Sequence, residues 1–396
     1  MIDSDLLVIG CGPAGATAAR EAARSGVATM VLEKDSVVGA KRVCAAGLRP
    51  GFCKTFNLPR EIVHFDTPRL ALFDAIGREH EIYFGPGHTT TREELDGTIA
   101  ALASQEGAEI RTGALFRSWH RDGEANVVEY ADLRNGDRKT IRARNVFFAQ
   151  GATAKLERSA FDFPHWQNGL ITTLQYRVYL ERPATPVTYK TLELHYYAAR
   201  DERMIVAWMF PKRDHLAVGL GVMGKIAGST LREELDLFTE RVRARLYPAV
   251  PFTLKTEGHL LYGDNPRPAI ASPGAMVGGT AAGLVDATNG EGIYEAAMSG
   301  RFAAEAVLAA RKGRMPAHLH FERALKGRFY GHLLHRSKLM RFLEKKPSRF
   351  AVLFQQLERF PRFAEVLQRE NCERTWSDRF FLYGQALRFA LAVRGH

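Results

Sequence analysis

Three glycines in six residues carry the first chemical signal. Gly10-Cys11-Gly12-Pro13-Ala14-Gly15 spells GxGxxG, a spacing that lets a backbone turn tightly, approach a pyrophosphate closely and pack a helix against a strand. Glu33 follows Gly15 by 18 residues, where a carboxylate can accept both hydroxyls of a ribose. An acidic group there selects a ribose without a 2′-phosphate, so FAD or NAD is expected rather than NADP. A second glycine-rich element, Gly279-Thr280-Ala281-Ala282-Gly283 followed by Gly290-Glu291-Gly292-Ile293, favours FAD. One dinucleotide needs one fingerprint, whereas an extended flavin has a ribityl chain and a ring carbonyl that reach a further helix N-terminus.

Such residues need strands and helices to hold them. Residues 5–9 read as a short buried strand, 14–24 as an alanine-rich helix ended by Gly26, and 27–33 as the next strand. That order is the first unit of a parallel sheet with a right-handed crossover. A helical pattern runs from Arg92 to Ser104, and Val146 to Ala149 is a short apolar strand stopped by Gly151. Further on, Leu174, Tyr176, Val178 and Leu180 alternate with polar neighbours, and 189–197, 203–210 and 216–223 are rich in β-formers. Consecutive strands without intervening helices imply an antiparallel sheet. Glycine patterning returns at 278–292, an alanine-rich helix follows at 293–312, and the chain reads as helical beyond Pro316. The expected fold class is therefore α/β, with a Rossmann-type FAD-binding domain, an inserted antiparallel β-sheet substrate domain and a C-terminal helical region. The expected boundaries are 1–60, 90–155 and 259–313 for the FAD-binding domain, 61–89 and 156–258 for the substrate domain, and 314–396 for the basic helical region.

A chain of 396 residues exceeds one ordinary domain. Hydrophobic content of 46% and charged content of 25% suit a globular protein, and no apolar run reaches the roughly 18 residues of a membrane span. The first strand begins without a basic leader, so a cytoplasmic location is expected. Cys11, Cys44, Cys53 and Cys372 lack metal-site spacing, so a reduced compartment and no bound metal are expected. The net charge of +11 is concentrated at one end: residues 301–396 hold 20 Lys and Arg against 8 Asp and Glu, and the remainder holds 35 against 36. This asymmetry suggests lipid headgroups or an acidic electron-transfer protein as partner, or else a solvated basic helical face. Nucleic acid is not expected, because no binding motif accompanies the charge. Phe380, Phe381, Leu382, Tyr383, Leu387, Phe389, Leu391 and Val393 lie among Arg379, Arg388 and Arg394, a pattern that fits either a helix at a membrane surface or a packed core helix.

Four stretches together resemble the geranylgeranyl reductase family. They are the N-terminal fingerprint, Arg92-Glu93-Glu94-Leu95-Asp96, the run Trp208-Met209-Phe210-Pro211 leading to Val218-Gly219-Leu220-Gly221, and residues 278–302. The resemblance spans about residues 1–310, and segments 210–219 and 290–301 are most similar to the chlorophyll and bacteriochlorophyll branch. It implies the fold of para-hydroxybenzoate hydroxylase and saturation of isoprenoid double bonds. It also implies that Gly10, Gly12, Ala14, Gly15 and Glu33 hold the adenosine and pyrophosphate end of FAD. Arg92 would lie against the phosphates or ribityl chain, with Gly151, Thr280 and Gly290 in the cofactor site and Gly292 and Ile293 beside the isoalloxazine. Cys44-Ala45-Ala46-Gly47-Leu48 occupies the place of the family's Cys-Gly-Gly loop, which puts Cys44, Ala45 and Gly47 at the flavin side of a substrate cavity lined by Trp208, Phe210 and Pro211. Several positions depart from the family pattern: Thr280 and Gln150 each replace an aspartate, Val206 a tyrosine, and Ala45-Ala46 a glycine pair.

The implied reaction delivers a hydride from flavin N5 and a proton to the two carbons of an alkene within a dry apolar tunnel. Cys44 is the candidate catalytic residue, as proton donor or positioning group, with a small buried hydrophobe as the alternative. Trp208 is expected as cavity wall, and His215 as an exposed loop histidine. The cofactor is FAD, with electrons from NADPH or reduced ferredoxin. Geranylgeranylated (bacterio)chlorophyll or geranylgeranyl diphosphate leads the substrate class, and archaeal-type lipid and menaquinone side chains stay open. A flavin monooxygenase or halogenase of the same fold, and an electron-transfer flavoprotein serving a membrane quinone, are the competing readings.

Overall fold

A computed structural model describes residues 2–39, 44–153, 169–181, 191–224, 226–369 and 373–394. The chain divides into two compact units, each built from three segments. Unit 1 comprises Met1–Arg42, Arg92–Gly169 and Leu261–Leu334, and unit 2 comprises Val43–Thr91, Leu170–Leu260 and His335–His396.

In chain order, β1 (Ser4–Ile9), α1 (Pro13–Arg24) and β2 (Thr29–Leu32) open unit 1. Unit 2 begins with β3 (Gly47–Leu48), the one-turn α2 (Phe52–Thr55), β4 (Phe65–Phe73) and β5 (Glu79–Thr89). Unit 1 resumes with α3 (Arg92–Gln105), β6 (Glu109–Arg111), β7 (Ala114–Asp122), β8 (Ala125–Asp132) and β9 (Arg138–Phe148). Then come β10 (Leu170–Leu180), β11 (Thr191–Ala198), β12 (Met204–Pro211), β13 (Leu216–Met223), α4 (Gly228–Leu246) and β14 (Phe252–Tyr262). Next are β15 (Ala271–Ser272), β16 (Ala275–Val277), α5 (Ile293–Arg311) and α6 (Ala317–Leu325). The unit boundary falls within α7 (Gly331–Glu344), and α8 (Ser348–Arg359), α9 (Pro361–Gln368) and α10 (Trp376–Arg394) follow.

The sheet of unit 1 runs β15–β16–β9–β1–β2–β6 and is parallel from β16 to β6. Its central strands are apolar on both faces, with Leu6, Leu7, Val8, Val31, Val146, Phe147 and Phe148 fully buried, as a parallel sheet covered on both sides requires. Helix α1 packs against α3 and α5, and its alanines let neighbouring backbones come close. The short strand expected at 146–149 is the end of β9, a longer strand whose polar first half pairs with β8 in the antiparallel β7–β8–β9 meander.

The sheet of unit 2 runs β14–β10–β13–β12–β11–β4–β5–β3. Strands β10, β13, β12 and β11 pair antiparallel in turn, β4 joins β11 in parallel, and β5 pairs antiparallel with β4 and β3. One parallel pair therefore interrupts the antiparallel sheet that the sequence suggests. Helix α4, also absent from the sequence reading, covers one face. Its Leu231, Leu235, Phe238 and Val242 recur at helical spacing and meet Tyr176, Val178, Ile205, Ala207, Met209, Val218 and Leu220. The basic tail, set apart as 314–396 in the sequence reading, is divided: 314–334 count with unit 1 and 335–396 with unit 2. Helices α8 and α9 pack on β5.

Candidate functional site

In unit 1, β1 ends at Ile9 and the chain reverses through Gly10, whose φ of +98° is open chiefly to glycine. A Cβ on Gly15 would stand 1.8 Å from the Gly10 carbonyl oxygen, so this helix start closes onto the strand end only with glycine there. Helix α1 begins at Pro13, its N-cap is Gly12, and no side chain caps it. Its first-turn N–H groups form the donor set that an anion such as pyrophosphate takes. Ala14, in that first turn, is buried.

Glu33 follows β2, and its carboxylate reaches back to this turn. Oε2 accepts the Cys11 N–H at 2.7 Å and Oε1 accepts the Asp35 N–H at 2.9 Å, which fixes the carboxylate beside the fingerprint. The buried Cys11 thiol is pushed well up, first by burial and then by the Glu33 charge, and so stays neutral. Arg92 opens α3, where Nε lies 3.0 Å from each oxygen of Asp96 and Nη2 2.5 Å from Oδ2. The same Nη2 is 3.4 Å from where a Cβ on Gly12 would be. Arg92 is thus aimed at the turn by Asp96, a partner that sequence reasoning missed although the i,i+4 spacing within Arg-Glu-Glu-Leu-Asp is its signal.

The second glycine-rich element joins this cluster. Gly278 N–H donates to the Phe148 carbonyl at 3.0 Å, and Gly279 N–H to Ser299 Oγ at 3.0 Å. A Cβ on Gly279 would lie 3.2 Å from Ala14 Cβ, so the element abuts the first turn of α1. Thr280 is half-buried on the following turn. In the loop to α5, Asp286 Oδ1 accepts Thr288 N–H at 2.8 Å and the Asp286 carbonyl accepts Gly290 N–H at 2.8 Å. Gly292 is the N-cap of α5, again without a side-chain cap, and Ile293 is its first residue. At the end of β9, Gly151 starts a tight turn, and the buried Gln150 Oε1 has no hydrogen-bond partner among the described residues. Two uncapped helix starts, a ribose-type carboxylate, a guanidinium and an orphaned acceptor fit an extended dinucleotide such as FAD.

A second cluster lies within unit 2. The Ala46 N–H donates to Cys44 Sγ at 3.3 Å, and Ala46 itself has a φ of +47°. The Lys212 ammonium, 1% exposed, donates to the carbonyls of Ala45 at 2.5 Å and Ala46 at 3.3 Å. Gly47 lies flat against Phe210, whose Cε2 would be 2.6 Å from a Cβ there. Phe210 and Lys212 together hold the Cys44 loop.

Trp208 and Phe210 alternate with Ala207 and Met209, which face α4, so they take the opposite sheet face. By the same alternation Pro211 does not share their face. The indole of Trp208 lies over Gly219, 2.4 Å from where a Cβ would stand, and its Nε1–H donates to Gln175 Oε1 at 2.9 Å. Gln175 Nε2 reaches Glu257 at 3.3 Å, and Arg177 pairs with Glu257 at 2.9 Å. This buried polar chain fixes the plane of the indole and was not found in the sequence.

His215 is 4% exposed, which corrects the expectation of an exposed loop histidine. The Lys212 N–H to His215 carbonyl bond at 2.8 Å closes a tight β12–β13 turn and folds the ring inward, where Nδ1 lies 2.7 Å from Asp214. Burial pushes its pKa down to about 4, with Arg177 and Lys212 adding to the effect and Asp214 opposing it. Cys53 is buried in α2, and Cys372 lies outside the described residues. Among the described residues no cluster of His, Cys, Asp or Glu could hold a metal ion, and no helix is long and apolar enough to cross a membrane.

The FAD dependent oxidoreductase family model matches residues 5–148. The geranylgeranyl diphosphate reductase of Rhodobacter capsulatus is 28% identical over 328 residues, covering 81% of this chain and 79% of that one. The digeranylgeranylglycerophospholipid reductase of Picrophilus torridus is 28% identical over 322 residues, covering 77% of each. A geranylgeranyl bacteriochlorophyll reductase-like protein from Thermoplasma acidophilum has a similar fold, with a TM-score of 0.71, 22% identity, and coverage of 96% of this chain and 95% of that one.

Proposed function

We propose that this chain is an FAD-dependent oxidoreductase that reduces carbon–carbon double bonds of a geranylgeranyl or longer polyprenyl chain. The relatives named for geranylgeranyl diphosphate and for digeranylgeranylglycerophospholipid share the geranylgeranyl chain and differ in its head group. The chain is therefore the recognised part. Geranylgeranyl (bacterio)chlorophyll or geranylgeranyl diphosphate is the leading substrate, with archaeal-type lipid and menaquinone side chains next.

The observation that carries this reading is the end of β12 in unit 2, where Phe210 packs on Gly47 and the Lys212 ammonium bonds the Ala45 and Ala46 carbonyls beside Cys44, with the Trp208 indole pinned by Gln175 on the same strand. FAD bound in its reduced form would supply the hydride, and with it both electrons, that one alkene carbon takes up. The N–H groups of the α1 start, around Gly10, Gly12, Ala14 and Gly15, bind the pyrophosphate, and Glu33 binds the adenosine ribose. Arg92 neutralises phosphate charge. Gly151, Thr280 and Gly290 would hold the ribityl end of the flavin, and Gly292 and Ile293 would lie on the ring side. Trp208 and Phe210 hold the isoprenoid chain and exclude water. The Cys44 thiol gives its proton to the second alkene carbon, with Ala45, Gly47 and Lys212 keeping the sulfur in place. NADPH or reduced ferredoxin replenishes the electrons, and the basic tail meets an acidic donor or a lipid surface.

The test is anaerobic. The flavin-loaded protein is reduced with dithionite and given geranylgeranyl diphosphate, geranylgeranyl chlorophyllide or menaquinone. Gains of about 2 Da per reduced bond are expected by mass spectrometry. Flavin that dithionite bleaches without any hydrogenated product, or product that forms only once air is admitted, would overturn the reading.

A further inference from the structure

Helix α10 buries two of its polar residues and exposes a stripe of apolar ones. Asp378 and Gln385 are each 2% exposed. Asp378 accepts bonds from the Thr375 N–H, the Thr375 hydroxyl and Arg369 at 2.9–3.0 Å. On the outer side, Trp376, Phe380, Tyr383, Leu387 and Leu391 are 76, 72, 75, 63 and 58% exposed. Their spacing of three and four residues makes one continuous stripe along a helix about 28 Å long. Phe381, Leu382, Phe389 and Val393 are partly covered on the inner side, so the helix is already docked when the outer stripe is left over. An apolar stripe of this size, dominated by aromatic residues, marks an interaction surface.

The flanking charge narrows the occupant. Arg379 lies against Trp376 and Arg388 against Phe360, both on the exposed side. The helix holds three arginines, and its single acid is the buried Asp378. Residues 335–396 carry 13 Lys and Arg against 6 Asp and Glu. A second copy seated on this stripe by two-fold symmetry would bring its own arginines against these, an unfavourable like-charge contact. An anionic lipid surface matches both properties, because tryptophan, tyrosine and phenylalanine settle at the headgroup level and arginines beside them meet lipid phosphates.

We propose that the outer stripe of α10 is a docking face that lies in the plane of an anionic lipid bilayer, with Trp376, Phe380, Tyr383, Leu387 and Leu391 inserted at the headgroup boundary. This deepens the lipid-surface part of the preceding reading and does not depend on the reaction, so binding is measured without turnover. The full flavin-loaded protein is sedimented with vesicles of phosphatidylcholine containing phosphatidylglycerol, and with vesicles of phosphatidylcholine alone. Binding to the anionic vesicles, a blue shift in tryptophan emission that is lost in Trp376→Ser, and weakening in about 1 M salt are expected. The paired change Phe380→Ser with Leu387→Ser should weaken binding about tenfold or more at an unchanged melting temperature, since both side chains are in solvent. Arg379→Glu with Arg388→Glu should weaken binding to the anionic vesicles alone. Equal sedimentation of the parent and Phe380→Ser/Leu387→Ser proteins would overturn the proposal. So would a dimer in solution that the same serine changes dissociate, since a second copy would then cover the stripe.

Discussion

Lys212 is a tightly held side chain outside the fingerprint. Its ammonium is buried and satisfied by two carbonyls of the Cys44 loop, 167 and 166 residues away in sequence. Lys212→Met should keep the shape and leave those carbonyls without that donor, at a cost of about 1–3 kcal/mol in urea unfolding. Flavin content should hold while turnover falls, because the loop held by Lys212 belongs to unit 2 and the residues proposed to hold the dinucleotide's adenosine and pyrophosphate belong to unit 1. His215 gives a pH signature. Its folded pKa, near 4, lies below the usual 6.5, so the folded state resists protonation that the unfolded chain accepts. Stability present above about pH 6.5 should therefore decline as pH falls toward 4, by up to roughly 3 kcal/mol, and His215→Gln should flatten that slope in urea titrations at pH 7 and pH 4.5. Unequal visibility in the sequence follows from distance along the chain. The glycines and Glu33 sit within one βαβ spacing, whereas Lys212, Gln175 and Glu257 acquire meaning only from partners far away. The Gln175–Glu257 contact joins residues 82 apart.

Helix α4 shows the same contrast at the level of elements. Leu231, Leu235, Phe238 and Val242 form its buried stripe against the face of unit 2's sheet opposite Trp208. The stripe is present in the sequence, but the β-forming segments around it and the charged outer face draw attention elsewhere. Phe238→Ala removes a fully buried ring and should cost about 3–5 kcal/mol, measured by urea unfolding, with the flavin spectrum of the surviving folded protein unchanged. Helix α1 was legible for the opposite reason. Its glycine start, alanine body and the strands on either side all agree, and consistency across levels is what makes a segment readable. The parallel β11–β4 pair was not legible, since it joins strands from separate chain segments.

Across the molecule, the cofactor should act as a stability ligand. Saturating FAD at about 100 times its dissociation constant should add roughly 2.7 kcal/mol to unit 1 and raise its melting temperature. Glu33→Leu, which deletes the acceptor for Cys11 and Asp35 N–H, should shrink that rise, and differential scanning fluorimetry with added FAD checks it. The charge asymmetry of the tail could be read from composition, but its division between the two units could not, because it depends on which sheet each helix covers. The three-segment build of each unit has a consequence for synthesis. As the chain leaves the ribosome from its N-terminus, β1 and β2 emerge first, yet β9, which pairs with β1, and β16, which pairs with β9, begin about 130 and 265 residues after β1 ends. Strands β4 and β5 likewise precede β11 by more than 100 residues. For most of its translation the nascent chain therefore exposes apolar strands without all of their pairing partners, and a release or pause before residue 262 yields a polypeptide with neither sheet complete.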